Sequence, residues 1–131
     1  MYNIFISHAW HRSEHYNKIV EWLNSYSFLD WRNYSVPKEH PLDSRNNIEL
    51  RNDLTNQIRP ASCVIILSGM YAAYSDWIEY ELNEAYRMKK YIIAVEPWGQ
   101  ERMPKIIKEK ASATVGWNSA SVVKAVIQSQ L

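Results

Sequence analysis

Glycine is scarce in this chain, with only three among 131 residues, and Gly69, Gly99 and Gly116 stand far apart. Neither a P-loop nor a GxGxxG dinucleotide fingerprint can be built from them, so any nucleotide must be held by other means. Cysteine is scarcer still: Cys63 is alone and cannot form an internal disulfide. Beside an aliphatic run it reads as a small buried strand residue in a reducing, cytoplasmic setting. No charge sign dominates, since 15 Lys and Arg face 14 Asp and Glu for a net charge of +1. A near-neutral chain gives no electrostatic reason to expect nucleic acid or an anionic membrane as partner. Long apolar runs are missing: the best, Val64-Ile65-Ile66-Leu67, falls far short of the ~20 residues of a membrane span. Met1–Ile6 lacks the basic region and long apolar stretch of a signal peptide.

What is present is apolar and aromatic. Hydrophobic residues make up 47% and Phe, Trp and Tyr 13%, which excludes a disordered chain and suits a single domain over 1–131. Apolar runs alternate with helical patterns, the rhythm of a parallel α/β fold. Strands are expected at Tyr2–Ile6, Phe28–Trp31, Cys63–Leu67, Tyr91–Val95 and Ala113–Val115. A first helix capped by Ser13 carries the stripe Tyr16, Ile19, Val20 and Leu23, and a second carries Leu50, Leu54 and Ile58 before Pro60. A third is expected from the cap Ser75 to Lys90, a fourth over Pro104–Ala111, and a last one capped by Asn118 or Ser119. Five strands with intervening helices predict a flavodoxin-like, doubly wound sheet in the order 2-1-3-4-5. Asn33–Asn46, with Pro37 and Pro41, is long and polar for a connection and reads as a binding loop or lid.

Ligands of such sheets bind beyond the carboxyl ends of the strands. Trp10, Trp31, Trp77, Trp98 and Trp117 all follow or end a strand, so five of the six tryptophans are expected at that edge. Their flat faces suit stacking on a base or pyridine ring, though individual ones also serve to close the top of a core. Within Ser75–Leu82, Glu81 lies about 40° from Trp77 and Ala85, 60° from Ile78 and 20° from Met88 on a helical wheel. It therefore sits in the middle of the apolar stripe, where a carboxylate needs a partner or a task. Glu79 falls about 160° away and is expected to face solvent. His8, His11 and His15 do not make a metal site: Ser13 as cap leaves His11 outside the helix, and only Glu14 lies near. A Ser-His-Asp hydrolase is only weakly supported, because Ser68 after the third strand lacks a GxSxG elbow. A phosphoacceptor receiver is excluded because Ser7-His8 and Ser68-Gly69 stand where acidic residues would be needed.

These residues resemble a family. Phe5-Ile6-Ser7-His8 is similar to the opening strand and loop of TIR and TIR-like domains. Val64–Ser68 followed by Ser75-Asp76-Trp77-Ile78-Glu79-Tyr80-Glu81-Leu82 resembles their S-x-W-x-x-x-E-(L/I) pattern. Pro97-Trp98-Gly99 and Val115-Gly116-Trp117-Asn118 resemble the TIR-like branch of Thoeris anti-phage systems. The resemblance covers nearly the whole chain. It implies a flavodoxin-like fold and cleavage of the nicotinamide–ribose bond of NAD, which is substrate and not cofactor. By position Glu81 matches the catalytic glutamate and Trp77 the tryptophan one turn before it. Ser7 and His8 match the substrate-contacting loop after the first strand, and 33–46 matches the loop that closes over the site. Trp31, Asn33 and Ser68 complete the expected substrate-binding set. His8-Ala9 stands where many TIR domains carry Tyr-Arg, and Ile78 replaces their frequent cysteine. The resemblance further implies self-association and a nucleotide product read by a separate effector. The competing class is a non-catalytic TIR-type module that signals by self-association alone.

Overall fold

The computed structural model describes residues 1–7, 13–35, 47–96 and 102–131. Five parallel strands form one sheet in the order β2-β1-β3-β4-β5. They are β1 (Tyr2–Ile6), β2 (Trp31–Asn33), β3 (Cys63–Leu67), β4 (Tyr91–Val95) and β5 (Ala113–Val115). The helices between them are α1 (Glu14–Ser25), α2 (Asn47–Ile58), α3 (Tyr71–Arg87), α4 (Lys105–Lys110) and α5 (Ser119–Gln128). The expected fold class and strand order are those observed.

Because side chains alternate along a strand, the sheet builds two cores. Ile4, Ile6, Cys63, Ile65, Leu67, Ile93 and Val95 face α1 and α5. Phe5, Val64, Ile66, Ile92 and Ala94 face α2, α3 and α4. All five residues of β3 are buried, as a central strand covered on both sides requires. Cys63 belongs to this strand, and burial pushes its thiol up to about 12, only partly offset by the Ser129 hydroxyl. The folded thiol therefore stays protonated through neutral pH. Its contribution to stability is complete below about pH 9 and is lost as pH rises toward 12. Alkylation of Cys63 by iodoacetamide at pH 8 should proceed only at the rate of unfolding; fast labelling of the native protein would contradict this burial.

The helix boundaries refine the expectations. Ser13 caps α1, its Oγ accepting from the Tyr16 N–H at 3.1 Å. Asn118, rather than Ser119, caps α5, its Oδ1 accepting from the Ser121 N–H at 2.9 Å. Strand two is displaced from Phe28–Trp31 to Trp31–Asn33. Leu29 closes a turn onto the Tyr26 carbonyl at 2.9 Å and Phe28 is 66% exposed, so Phe28 and Leu29 are spent on the turn that precedes the strand. α3 starts at Tyr71, because a 3₁₀ turn over Ser68–Met70 leads straight into it. Its break lies at Tyr74 (φ −134°, ψ 36°), so the segment that carries Glu81 begins at Ser75, close to the expected start, and the turn before the kink is the addition. The helix ends at Arg87 instead of Lys90. Lys89 takes the left-handed conformation (φ 58°) and the Lys90 N–H returns to the Ala85 carbonyl at 2.9 Å, a Schellman closure. α4 is one residue shorter at each end than expected, with Pro104 as its cap.

Candidate active site

In the order 2-1-3-4 the connection from β1 runs to β2 and that from β3 runs to β4, on opposite sides, so the carboxyl ends of β1 and β3 form the switch point at which sheets of this kind open a crevice. Ser7 follows β1 at this point, its N–H held by the Ile65 carbonyl at 2.8 Å. Continuing the alternation after Phe5, its side chain belongs to the α2/α3 side of the sheet. There its hydroxyl donates to Glu81 Oε1 at 2.7 Å. Glu81 is 0% exposed and Ser7 1%. The helix that carries the glutamate is fixed by Ile78, Leu82 and Ala85, all buried on the same stripe. A carboxylate has thus been brought from the middle of α3 to the switch point, 74 residues along the chain from its serine.

A buried carboxylate is held in place only by charge partners or hydrogen bonds. Ser7 supplies one of these hydrogen bonds, so Ser7→Ala should lower stability by about 1–3 kcal/mol, read from urea unfolding. An unchanged midpoint would mean that the hydroxyl is dispensable to the carboxylate.

α3 is clamped to α2 one turn beyond. Thr55 Oγ1 donates to Glu84 Oε1 at 2.7 Å, and Arg87 pairs with Glu84 at 2.8 Å. The Arg87 guanidinium, with Thr55 and Tyr80, holds the Glu84 carboxyl below its usual range despite partial burial. Glu79 departs from expectation: it is half-buried and accepts a hydrogen bond from the Tyr71 hydroxyl. That bond, before burial and charge, raises the Tyr71 pKa. The kink at Tyr74 separates the two residues' local helix frames, which a straight helical wheel does not anticipate.

The expected substrate-binding residues fall into different places. Ser68 is buried beside the crevice at the end of β3, its hydroxyl donating to the Val95 carbonyl at 2.7 Å and so tying the ends of β3 and β4. Asn33 ends β2 on the same edge of the sheet. Its Nδ2 donates to the Tyr16 hydroxyl at 3.0 Å and its Oδ1 accepts from the Ser35 N–H at 2.9 Å. Ser35 Oγ in turn accepts from the Ile6 N–H at 3.0 Å, joining the network to the end of β1. Ser35 and the Tyr16 hydroxyl had no signal of this role in the sequence, where one lay in an aperiodic polar stretch and the other in an apolar stripe. Trp31 is separated from this group: it opens β2 opposite Tyr2, five strand residues or about 16 Å from Ser7. Its indole N–H donates to Asn24 at 2.9 Å, and its ring packs on the α1/α5 core.

Trp77 is half-buried at the edge of the α2/α3 core, with the Arg51 guanidinium 5.8 Å from its ring centroid. Trp117 packs onto α1, 4.7 Å from Trp22 and 5.5 Å from the His15 ring. Its observed contacts are those of helix packing. His8, Trp10, Trp98 and positions 36–46 of the expected lid lie outside the described residues. Among the described residues, no three His, Cys, Asp or Glu side chains are grouped as metal ligands, and no helix is long and apolar enough to cross a membrane.

A doubly wound parallel sheet with a buried serine–glutamate pair at its switch point is therefore the class of molecule that fold and site define. Residues 5–102 match the family described as Thoeris protein ThsB, TIR-like domain, and the chain belongs to that family. No curated protein matches it in sequence. Among solved structures it is similar to the CMP N-glycosidase BcmB of Clostridium botulinum, with a TM-score of 0.61 and 11% identity over 96% of this chain and 98% of that one. At this identity the likeness is one of fold.

Proposed function

We propose that the protein cleaves the nicotinamide–ribose bond of NAD, with Glu81 as the catalytic carboxylate. The observation that carries this reading is a fully buried glutamate, held by Ser7, at the crevice where sheets of this order bind ligands. Breaking an N-glycosidic bond leaves positive charge on the ribose as an oxocarbenium-like ion. Nicotinamide departs as a neutral molecule from a cationic ring, so no acid is needed to protonate it. What lowers the barrier is a negative charge beside the ribose, and a carboxylate fixed among apolar groups acts more strongly than one in water. Ser7 keeps that carboxylate in place without neutralising it, since a hydroxyl donates a hydrogen bond and retains its proton.

Two findings support the reading. The chain belongs to the Thoeris TIR-like family, and its structural neighbour is named for cleavage of an N-glycosidic bond, that of CMP. The acceptor determines the product: water gives ADP-ribose, and a hydroxyl of the same molecule gives a cyclic isomer. We favour the cyclic product, acting as a second messenger to a separate effector in anti-phage defence, with self-association of the enzyme as part of its activation. Incubating the purified protein with NAD, with and without lysate of phage-infected cells, should release nicotinamide and an ADP-ribose isomer detectable by mass spectrometry. Intact NAD under both conditions, with folded protein at high concentration, would replace this reading by the self-association module.

A further inference from the structure

We propose that Arg51 recognises the phosphate on the 5′ carbon of the substrate's ribose, making the site selective for nucleotides over nucleosides. The proposal rests on the reading of Glu81 as the group beside the glycosidic bond. Arg51 lies in the early part of α2, and its side chain reaches across to α3. The guanidinium carbon stands 5.8 Å from the Trp77 ring centroid and 5.5 Å from that of Tyr80. The Tyr80 hydroxyl also donates to the Arg51 carbonyl at 3.2 Å, so backbone and side chain of this residue are both tied to α3. Trp77 precedes Glu81 by four residues, which places the two side chains on one helix face about 6 Å apart at Cβ. A cation over the Trp77 ring therefore belongs with the helix face that carries the carboxylate, one turn before it, just as a 5′-phosphate lies one ribose ring from the glycosidic carbon.

The chemistry of the arrangement suits an anion. Two ring faces attract the guanidinium through their electron-rich surfaces and restrain it, while its in-plane N–H groups stay available for paired hydrogen bonds to phosphate oxygens. Arg51 is exposed, and no carboxylate among the described residues pairs with it. Glu49 and Asp53, two residues away on either side, point from other faces of α2. The planar fork of arginine matches two phosphate oxygens, which the single ammonium of a lysine does not.

The test compares NAD with nicotinamide riboside, which has the same scissile bond and no phosphate. In Arg51→Gln, kcat/KM for NAD should fall roughly tenfold to a hundredfold, through KM, while nicotinamide riboside is cleaved as before. Arg51→Lys should fall between the two. Equal losses on both substrates, or none on NAD, would overturn the proposal. If the wild-type protein cleaves neither compound, the reaction assigned to Glu81 fails separately, and calorimetric binding of inorganic pyrophosphate decides for Arg51. Weakening by roughly tenfold or more in Arg51→Gln then upholds the anion site; no binding, or equal binding by both proteins, overturns it.

Discussion

Glu81→Gln should lower NAD turnover by roughly two or more orders of magnitude, on the order of 3 kcal/mol, while the protein remains folded. The amide keeps the shape of the carboxylate and removes the charge that balances the oxocarbenium ion. Since Glu81 is 0% exposed, the substitution also relieves the desolvation of a buried charge, and the thermal midpoint should hold or rise. Glu79→Gln is the paired control from two residues earlier on the same helix. Its carboxylate is half-buried against the Tyr71 hydroxyl, so a stability change of up to about 1 kcal/mol is expected, as for one neutralised hydrogen bond, with turnover intact. If Glu79→Gln were the inactive variant, or Glu81→Gln kept full activity, the site would be misassigned. An Glu81→Gln protein that unfolds would make the carboxylate structural and favour the interaction module.

That Glu81 lies on the buried stripe of α3 was legible because a helical wheel needs only local periodicity. Ile78, Leu82 and Ala85 on its stripe are buried as the spacing required. The fold was legible for the same reason: aliphatic runs such as Cys63–Leu67 must be covered on both faces, and helices between them leave few topologies. Where long-range contact or local turn geometry decides, the sequence was mute. Asn33, Ser35 and Tyr16 meet only because β2 lies alongside β1. Trp31 looked like the end of a strand and is its beginning, since a shift of three residues in β2 moves an aromatic to the opposite edge of the sheet. α3 gains a turn before Ser75, set off from the rest by the kink at Tyr74, and Tyr71 in that turn reaches Glu79. No residue type in that stretch breaks a helix by itself, so local propensity gave no sign of the kink.

The largest loss of stability near the site should come from Ile78→Ala. Ile78 is 0% exposed between Trp77 and Glu81 in sequence, and it packs in the core shared by α2, α3, α4 and one face of the sheet. Removing its three terminal carbons forfeits their transfer from water and leaves a cavity that close-packed neighbours only partly fill. About 2–5 kcal/mol should be lost, a large share of the roughly 5–15 kcal/mol that holds a domain of this kind together. Ile78→Val, which removes one methyl, should lose about 0.5–1.5 kcal/mol. Ile48→Ala on α2 provides the comparison with the same chemistry, because Ile48 is 73% exposed and should shift stability by no more than about 0.5 kcal/mol. Urea unfolding of the three variants reads these differences as midpoints at constant slope. Under conditions where Ile78→Val stays fully folded, its NAD turnover tells whether packing behind α3 sets the position of Glu81. A small loss of stability with a disproportionate loss of turnover would mean that it does, whereas unchanged turnover would leave the placement of the carboxylate to Ser7 and the α2 clamp. Equal destabilisation by Ile78→Ala and Ile48→Ala would contradict the burial on which the whole stripe depends.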